Sequence, residues 1–361
     1  MSERKIKLRS GEEMSLIIAE PPLTQYVEIA EEGKLVNWIW PEIREELLAG
    51  QLTEWLLTPY ALGQINGELV GSIAYFTPAD THDVGVIEFV QTLEKHRDKG
   101  IASALMSALI QKFTSEGGLS LMLCTNNPIA GKLYEKHGFW YSVGNGMRYL
   151  APGAEDFDKS YLAFAGKAHI RNATWADLPR TSVLYNHHLP KWLIKDYLTQ
   201  SFKDTRYESH FVKLLKRLEG GMGAYLVIEN PLKRVVGAIA IERKNTYYEQ
   251  HTAVMSLRIC PAYFSQASEL VEAMVSKARD MSIRTLQVYV ADTDTDHKEI
   301  LISTGFKEES RLRNQILGLD QWVDMLIYAR DLGKTNLTRR GKGEYYGGRS
   351  NWHNDRILSK Q

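Results

Sequence analysis

Apolar positions along this chain fall into short runs. Their period alternates between that of a strand and that of a helix, with turn residues between them. Residues 14–19 are apolar enough for a strand, and residues 24–32 and 42–48 have helical spacing. Residues 60–65 and 68–76 are two apolar runs joined at Asn66-Gly67. Asn-Gly supplies the two positive-φ residues of a tight turn, so this stretch predicts a β-hairpin. Residues 83–92 read as a further strand. From 100 to 113, Ile101, Leu105, Leu109 and Ile110 share one helical face, and Gly117-Gly118 ends that helix because glycine accepts the left-handed cap. A short buried strand over 119–124 follows. The pattern then predicts a helix over 128–136, with proline in its first turn and Gly138 at its end, and closing strands over 139–143 and 147–150.

Residues 151–160 carry Pro152, Gly153 and several charges, and predict a surface linker. The plan then starts again. Residues 168–172 read as a strand, and 177–186 and 207–218 as helices. Residues 224–229 and 235–242 form a second hairpin through Asn230-Pro231. Strands over 252–260 and 285–291 flank a helix over 265–281, a helix over 294–303 runs into Gly305-Phe306, and a strand over 325–329 closes the set. Ala102-Ser103-Ala104-Leu105 corresponds to Ala267-Ser268-Glu269-Leu270, and His137-Gly138-Phe139 to Thr304-Gly305-Phe306, at nearly equal separations. Matching separations argue for a duplicated module. The expected architecture is α/β (α+β): two tandem mixed-sheet domains, 1–150 and 168–332, with helices on both faces of each sheet. Residues 151–167 link them, and 333–361 form a tail.

Composition narrows the function classes. Of 361 residues, 44% are apolar and 24% charged, an ordinary globular balance. Lysine plus arginine (44) equals aspartate plus glutamate (44), so no dedicated nucleic-acid binder is expected. The first residues hold no apolar run of signal-peptide type, and no stretch approaches the roughly 18 apolar residues of a membrane span. The expectation is a soluble cytoplasmic protein with no membrane or nucleic-acid partner. Cys124 and Cys260 sit in apolar, strand-like runs and read as buried free thiols. In the tail, Gly341, Gly343, Gly347 and Gly348 alternate with Lys334, Arg339, Arg340, Lys342 and Arg349, the composition of a flexible arm. Its Tyr345, Tyr346 and Trp352 leave docking onto a groove equally open.

Several motifs fail on inspection. Residues 153–160 resemble a P-loop but put Asp158 where glycine is needed. Asp292, Asp294 and Asp296 begin like a calcium loop, yet His297 and Ser303 replace its glycine and closing glutamate, so helix capping is expected there. His187-His188 lacks companion ligands, and no metal site is expected. Trp38 and Trp40 read as core packing or as lining for a substrate.

The strand over 83–92 feeds Arg97-Asp98-Lys99-Gly100-Ile101-Ala102-Ser103 and then a helix. Small residues there leave backbone N–H groups accessible at a helix N-terminus, which suits a phosphate, and Arg97 and Lys99 add positive charge. Alone this is a weak signal. A second segment, Asn127-Pro128-Ile129-Ala130-Gly131-Lys132-Leu133-Tyr134-Glu135-Lys136-His137-Gly138-Phe139, follows after one strand. Together they resemble two motifs of the GNAT superfamily of N-acetyltransferases, [QR]-x-x-G-x-[GA] and N-x-x-A-x-x-L-Y-x-x-x-G-F. The resemblance covers residues 1–150 well and 168–332 in outline.

The resemblance implies acetyl-CoA as co-substrate and no metal. Backbone groups of Val90, Gln91 and Thr92 would pair with the pantetheine arm where the sheet splays. Arg97, Asp98, Lys99, Gly100, Ile101, Ala102 and Ser103 would hold the pyrophosphate. Asn127 would bond the pantetheine, Ala130 would leave room for it, and Tyr134 would protonate the leaving thiolate. Glu88, the only acid inside its strand, is the candidate base, with a solvent-facing or ion-paired role as the alternative. A backbone N–H near Val90 is the candidate oxyanion donor. In the second module Ser265, Ala262 and Leu301 replace Gly100, Arg97 and Tyr134, so that copy is expected to be degenerate. The function expected is direct acetyl transfer to an amine in a ternary complex, and the alternative is a non-catalytic acyl-CoA sensor. The acceptor and the oligomeric state, a homodimer included, are left open.

Overall fold

The computed structural model describes residues 2–23, 41–187, 207–318 and 321–333. The expected helix over 24–32, Trp38, Trp40, His188 and the tail from 334 lie outside the described residues.

Two mixed sheets carry the fold. The first contains β1 (Ser2–Lys7), β2 (Glu13–Ala19), β3 (Leu56–Leu57), β4 (Tyr60–Ile65), β5 (Glu68–Pro78), β6 (Val84–Thr92), β7 (Ser120–Cys124), β8 (Trp140–Val143) and β9 (Gly146–Leu150), in the order β1-β2-β4-β5-β6-β7-β9-β8, with β3 paired to β5. The second contains β10 (His169–Asn172), β11 (Gly223–Glu229), β12 (Val235–Arg243), β13 (Thr252–Ile259), β14 (Thr285–Ala291), β15 (Lys307–Leu317) and β16 (Trp322–Asp331), in the order β10-β11-β12-β13-β14-β16-β15. From β2 onward the main path of the first sheet repeats in the second. Each sheet has one parallel pair, β6 with β7 and β13 with β14, among antiparallel neighbours. The helices are α1 (Arg44–Leu48), α2 (Ile101–Ser115), α3 (Pro128–Lys136), α4 (Phe157–Tyr161), α5 (Asp177–Asn186), α6 (Tyr207–Glu219), α7 (Ala267–Asp280) and α8 (Thr295–Ser303). Among the described residues no helix is long and apolar enough to cross a membrane.

The hairpin turn at Asn66-Gly67 has φ of 50° and 86°, as the dipeptide predicts. One face of the first sheet packs on α2 through Ile73, Ile87, Leu105, Leu109 and Leu121. Gly71 makes this approach possible, since a Cβ there would lie 2.9 Å from Ile101 Cγ2. The opposite face contributes Ala74, Phe76, Val84, Val86 and Met122 to a larger core that runs into the second sheet. Helix α5 lies within that core and is buried along its whole length, touching β5 and β6 on one side and β12 and β13 on the other. Asp80 pairs with the buried Arg180, and Glu46 pairs with Lys216 at 2.6 Å, so ion pairs also join the two halves.

Three expectations need correction. The segment 151–160 runs over the surface at most positions but is more than a loose linker: Ala151, Ala154 and Phe157 are buried, and α4 docks Phe157 and Tyr161 in the shared core. The helix expected from 265 begins at Ala267, because Pro261–Gln266 is a tighter 3₁₀ turn opened by proline. Strands β1 and β15 were not expected at all. Their sequences, SERKIK and KEESRLRNQIL, are largely exposed and lack an apolar face. Asp294 does cap α8, accepting from the His297 N–H at 3.2 Å.

Candidate active site at the splayed strands

Strand β6 changes character halfway along. Its ladder with β7 runs only from Val84–Ser120 to Val86–Met122, although β6 continues to Thr92 and β7 to Cys124. Opposite β5 the register slips between Ser72–Gln91 and Ala74–Glu88, with Phe89 at φ 58°. Two residues of β6 thus face one of β5, a bulge that bends the strand away from β7. The backbone of Val90, Gln91 and Thr92 lies on this diverging stretch, and the buried Thr92 hydroxyl has no hydrogen-bond partner among the described residues.

The turn after β6 leads directly into α2. Asp98 and Gly100 both have positive φ, at 63° and 89°. The first helical hydrogen bond is from the Ala104 N–H to the Gly100 carbonyl at 3.0 Å, and no side chain caps this end. The N–H groups of Ile101, Ala102 and Ser103 therefore form an open first turn, electrostatically suited to an anion. Arg97 is largely exposed, 4.0 Å from Glu94. Lys99 is engaged instead with Glu12 at 3.0 Å, and this bond, after one from Ser10, holds the Glu12 carboxyl below its ordinary range. A cation that sequence reasoning missed passes beside the glycine: a Cβ placed on Gly100 would lie 3.5 Å from Arg9 Cγ and 3.9 Å from its Nε. Only the antiparallel return of β1 and β2 brings Arg9 there, so no local signal marked it.

Helix α3 meets this turn from the other strand. Ser103 Oγ lies 2.9 Å from His137 Nε2, and burial lowers the pKa of that imidazole. Asn127 caps α3, its Oδ1 accepting from the Ile129 N–H at 2.9 Å and the Ala130 N–H at 3.4 Å. The side-chain oxygen is thereby occupied, and its amide NH₂ is the group left for a ligand. Ala130 is half-buried against the α2 core. Tyr134 is only 5% exposed and packs on Phe139 in that core.

Glu88 lies on the other face. It is 7% exposed and directly opposite Ala74, which in turn pairs with Tyr60, so the three form one row across β4, β5 and β6. The side chain is therefore not solvent-facing. By the parallel register, Cys124 stands level with Glu88 across the splay and on the same face. Cys124, at the end of β7, is half-buried rather than buried as expected. Glu88 and Tyr134 thus sit on opposite faces of the sheet, with the gap between β6 and β7 connecting them. Among the described residues no group of His, Cys, Asp or Glu is arranged to hold a metal ion.

The second sheet lacks this turn. Ala262 and Ser265 lie in the 3₁₀ turn before α7, where no residue has positive φ. A small cavity, large enough for about one water, lies at its own strand divergence and is lined by Arg258, Tyr289, Asp294, His297 and Leu301.

Residues 22–139 match the model of the acetyltransferase (GNAT) family. No curated protein sequence matches the chain. Among solved structures, the chain is similar to a ribosomal-protein-alanine N-acetyltransferase from Brucella melitensis, at 19% identity and a TM-score of 0.38, over 45% of this chain and 99% of that one. It is also similar to a GNAT-superfamily phosphinothricin acetyltransferase from Sinorhizobium meliloti in complex with acetyl-CoA, at 16% identity and a TM-score of 0.42, over 50% of this chain and 97% of that one. A spermidine N-acetyltransferase from Vibrio cholerae in complex with CoA and spermine is similar at 14% identity and a TM-score of 0.38, over 46% of this chain and 96% of that one.

Proposed function

Residues 22–139 form a domain of the acetyltransferase (GNAT) family, and from that premise we propose that the chain transfers an acetyl group from acetyl-CoA to an amine, with the working site at the splay of β6 and β7. The observation that carries this reading is the uncapped N-terminus of α2 at the end of a strand that has parted from its neighbour. The pyrophosphate would lie on the N–H groups of Ile101, Ala102 and Ser103, beside Arg97 and Arg9. The pantetheine arm would enter between the strands, along Val90, Gln91 and Thr92 and toward the Asn127 amide, with Ala130 leaving it room.

The chemistry follows from the two faces. An ammonium on the Glu88 side gives its proton to that carboxylate, directly or through water. The free amine attacks the thioester carbonyl, and a backbone N–H at the bulge near Val90 holds the developing oxyanion. Collapse breaks the C–S bond, Tyr134, on the opposite face, protonates the departing thiolate, and the nitrogen sheds its second proton to solvent to leave the neutral amide. Glu88 then carries the proton taken from the amine, and solvent restores both groups. The second half, 168–332, has neither the glycine turn nor a counterpart of Tyr134, and we assign it a supporting role.

Thiol release from acetyl-CoA, measured with a panel of amines, tests the reading. Amine-dependent release that falls about 100-fold in Tyr134→Phe is expected. Tight CoA binding with no release for any amine, unaffected by that substitution, would instead make the chain an acyl-CoA sensor.

A further inference from the structure

Glu208 opens α6 in the second half of the chain and is 0% exposed. Its carboxylate turns toward the first half, where the Cys124 thiol donates to Oε2 at 3.8 Å. Its other oxygen, Oε1, is buried with no hydrogen-bond partner among the described residues. Removing a carboxylate oxygen from water without a partner is unfavourable, and such groups persist where something else uses them.

The position of this oxygen relative to the splay gives it a use. Cys124 is level with Glu88 across the gap and on the same face, so Glu208 lies over the mouth of the splay on the side where an acceptor would meet Glu88. At the far end of the same row the Tyr60 hydroxyl is also buried without a partner among the described residues. Between them on this row stands Ala74, the smallest side chain of the three. Cys124 is only half-buried, so the rim beside Glu208 is not sealed.

We propose that Glu208 is an acceptor-binding residue supplied by the second half of the chain, and that the acceptor carries a cationic N–H group besides the amine that reacts. Glu88 receives the proton of the reacting nitrogen, and Glu208 Oε1 accepts from the second. The proposal rests on the acetyl-transfer reading for the identity of the bound molecule. It implies that the second half selects the substrate although it holds no cofactor turn of its own.

The test uses the full chain, acetyl-CoA, and α,ω-diaminoalkanes set against monoamines of equal length. The wild-type chain should turn over diamines with a kcat/KM at least about tenfold above that for monoamines. In Glu208→Gln the diamine KM should rise about tenfold, with kcat, the acetyl-CoA KM and monoamine kinetics little changed. Melting temperature separates binding from structure. Neutralising an oxygen that has no internal partner should leave it unchanged or raise it, whereas a fall of several degrees would make Glu208 a structural residue and overturn the proposal. An unchanged diamine KM in Glu208→Gln, or no diamine preference in the wild type, would overturn it equally while leaving acetyl transfer intact. Calorimetric titration of diamine into the CoA-saturated chain reads the site without turnover. Equal affinity in wild type and Glu208→Gln sinks the proposal on its own, and absence of turnover with every amine sinks the acetyl-transfer reading instead.

Discussion

At the scale of single residues, the division of labour rests on side chains that the sheet keeps apart. Glu88 and Tyr134 belong to different faces, so replacing each should leave a different signature. Glu88→Gln should flatten the acidic limb of the kcat/KM profile and lower the rate by about 100-fold or more, and a pH–rate series checks this. Gly100 has φ 89°, and a Cβ there would meet Arg9 only at ordinary distance, so strain and charge rather than crowding would govern a substitution. Gly100→Glu should weaken CoA binding at least about tenfold by calorimetry, through a backbone cost of about 1–2 kcal/mol and repulsion at the anion site. Gly100, Asn127 and Tyr134, which we propose for the cofactor half of the site, were legible in the sequence because each is marked by its own helix. Arg9, Tyr60 and Glu208, which the proposals add, were not legible, because each is positioned by strand pairing or domain packing that no local pattern encodes.

Elements behave as their local chemistry dictates where one face is buried. The β4–β5 hairpin depends on Gly67 at φ 86°, and no atom lies within 4 Å of a Cβ built there. Gly67→Ala should therefore cost about 1 kcal/mol by denaturant unfolding, from backbone conformation alone. The segment around α4 is held by a different force. Asp158 meets the buried Arg148 at 2.5 Å and His187 at 3.7 Å. The His187 ring and the Arg148 guanidinium hold its pKa at about 2, against the desolvation that burial imposes. Because the folded value is depressed, the stabilisation is complete above the unfolded value near pH 4 and is lost as pH falls toward 2. Asp158 is half-exposed, so solvent screening limits the effect to about 1 kcal/mol. Asp158→Asn should lower stability by that amount at pH 7 and progressively less as pH falls to 2, as acid-dependent denaturant melts would reveal. Two of the elements hidden from sequence reasoning, β1 and β15, have exposed, charged residues that give pairing partners no apolar stripe to announce them.

At the scale of the whole molecule, α5 makes the two halves one folding unit. Its residues Leu178, Val183, Leu184 and Tyr185 share a core with Phe76, Val86 and Phe89 of the first sheet and with Val236, Ala238 and Met255 of the second. Leu184→Ala should cost about 2–5 kcal/mol, and calorimetry of the full chain should record one unfolding transition rather than two. A chain ending at residue 166 would expose the Glu88 face of the first sheet, and we expect it to aggregate rather than bind CoA.

The amino-acid order by itself determined the strand and helix runs, the hairpin turn at Asn66-Gly67, the repeated plan and the glycine turn at the head of α2, because each depends on residues close together in the chain. Only the tertiary structure decided which face Glu88 occupies, that Lys99 is taken by Glu12, that 151–160 is pinned to the core by Phe157, and that Glu208 meets Cys124 at the end of β7. Those outcomes depend on strand register and on the packing of one sheet against another, and both are settled by burial across the assembled core.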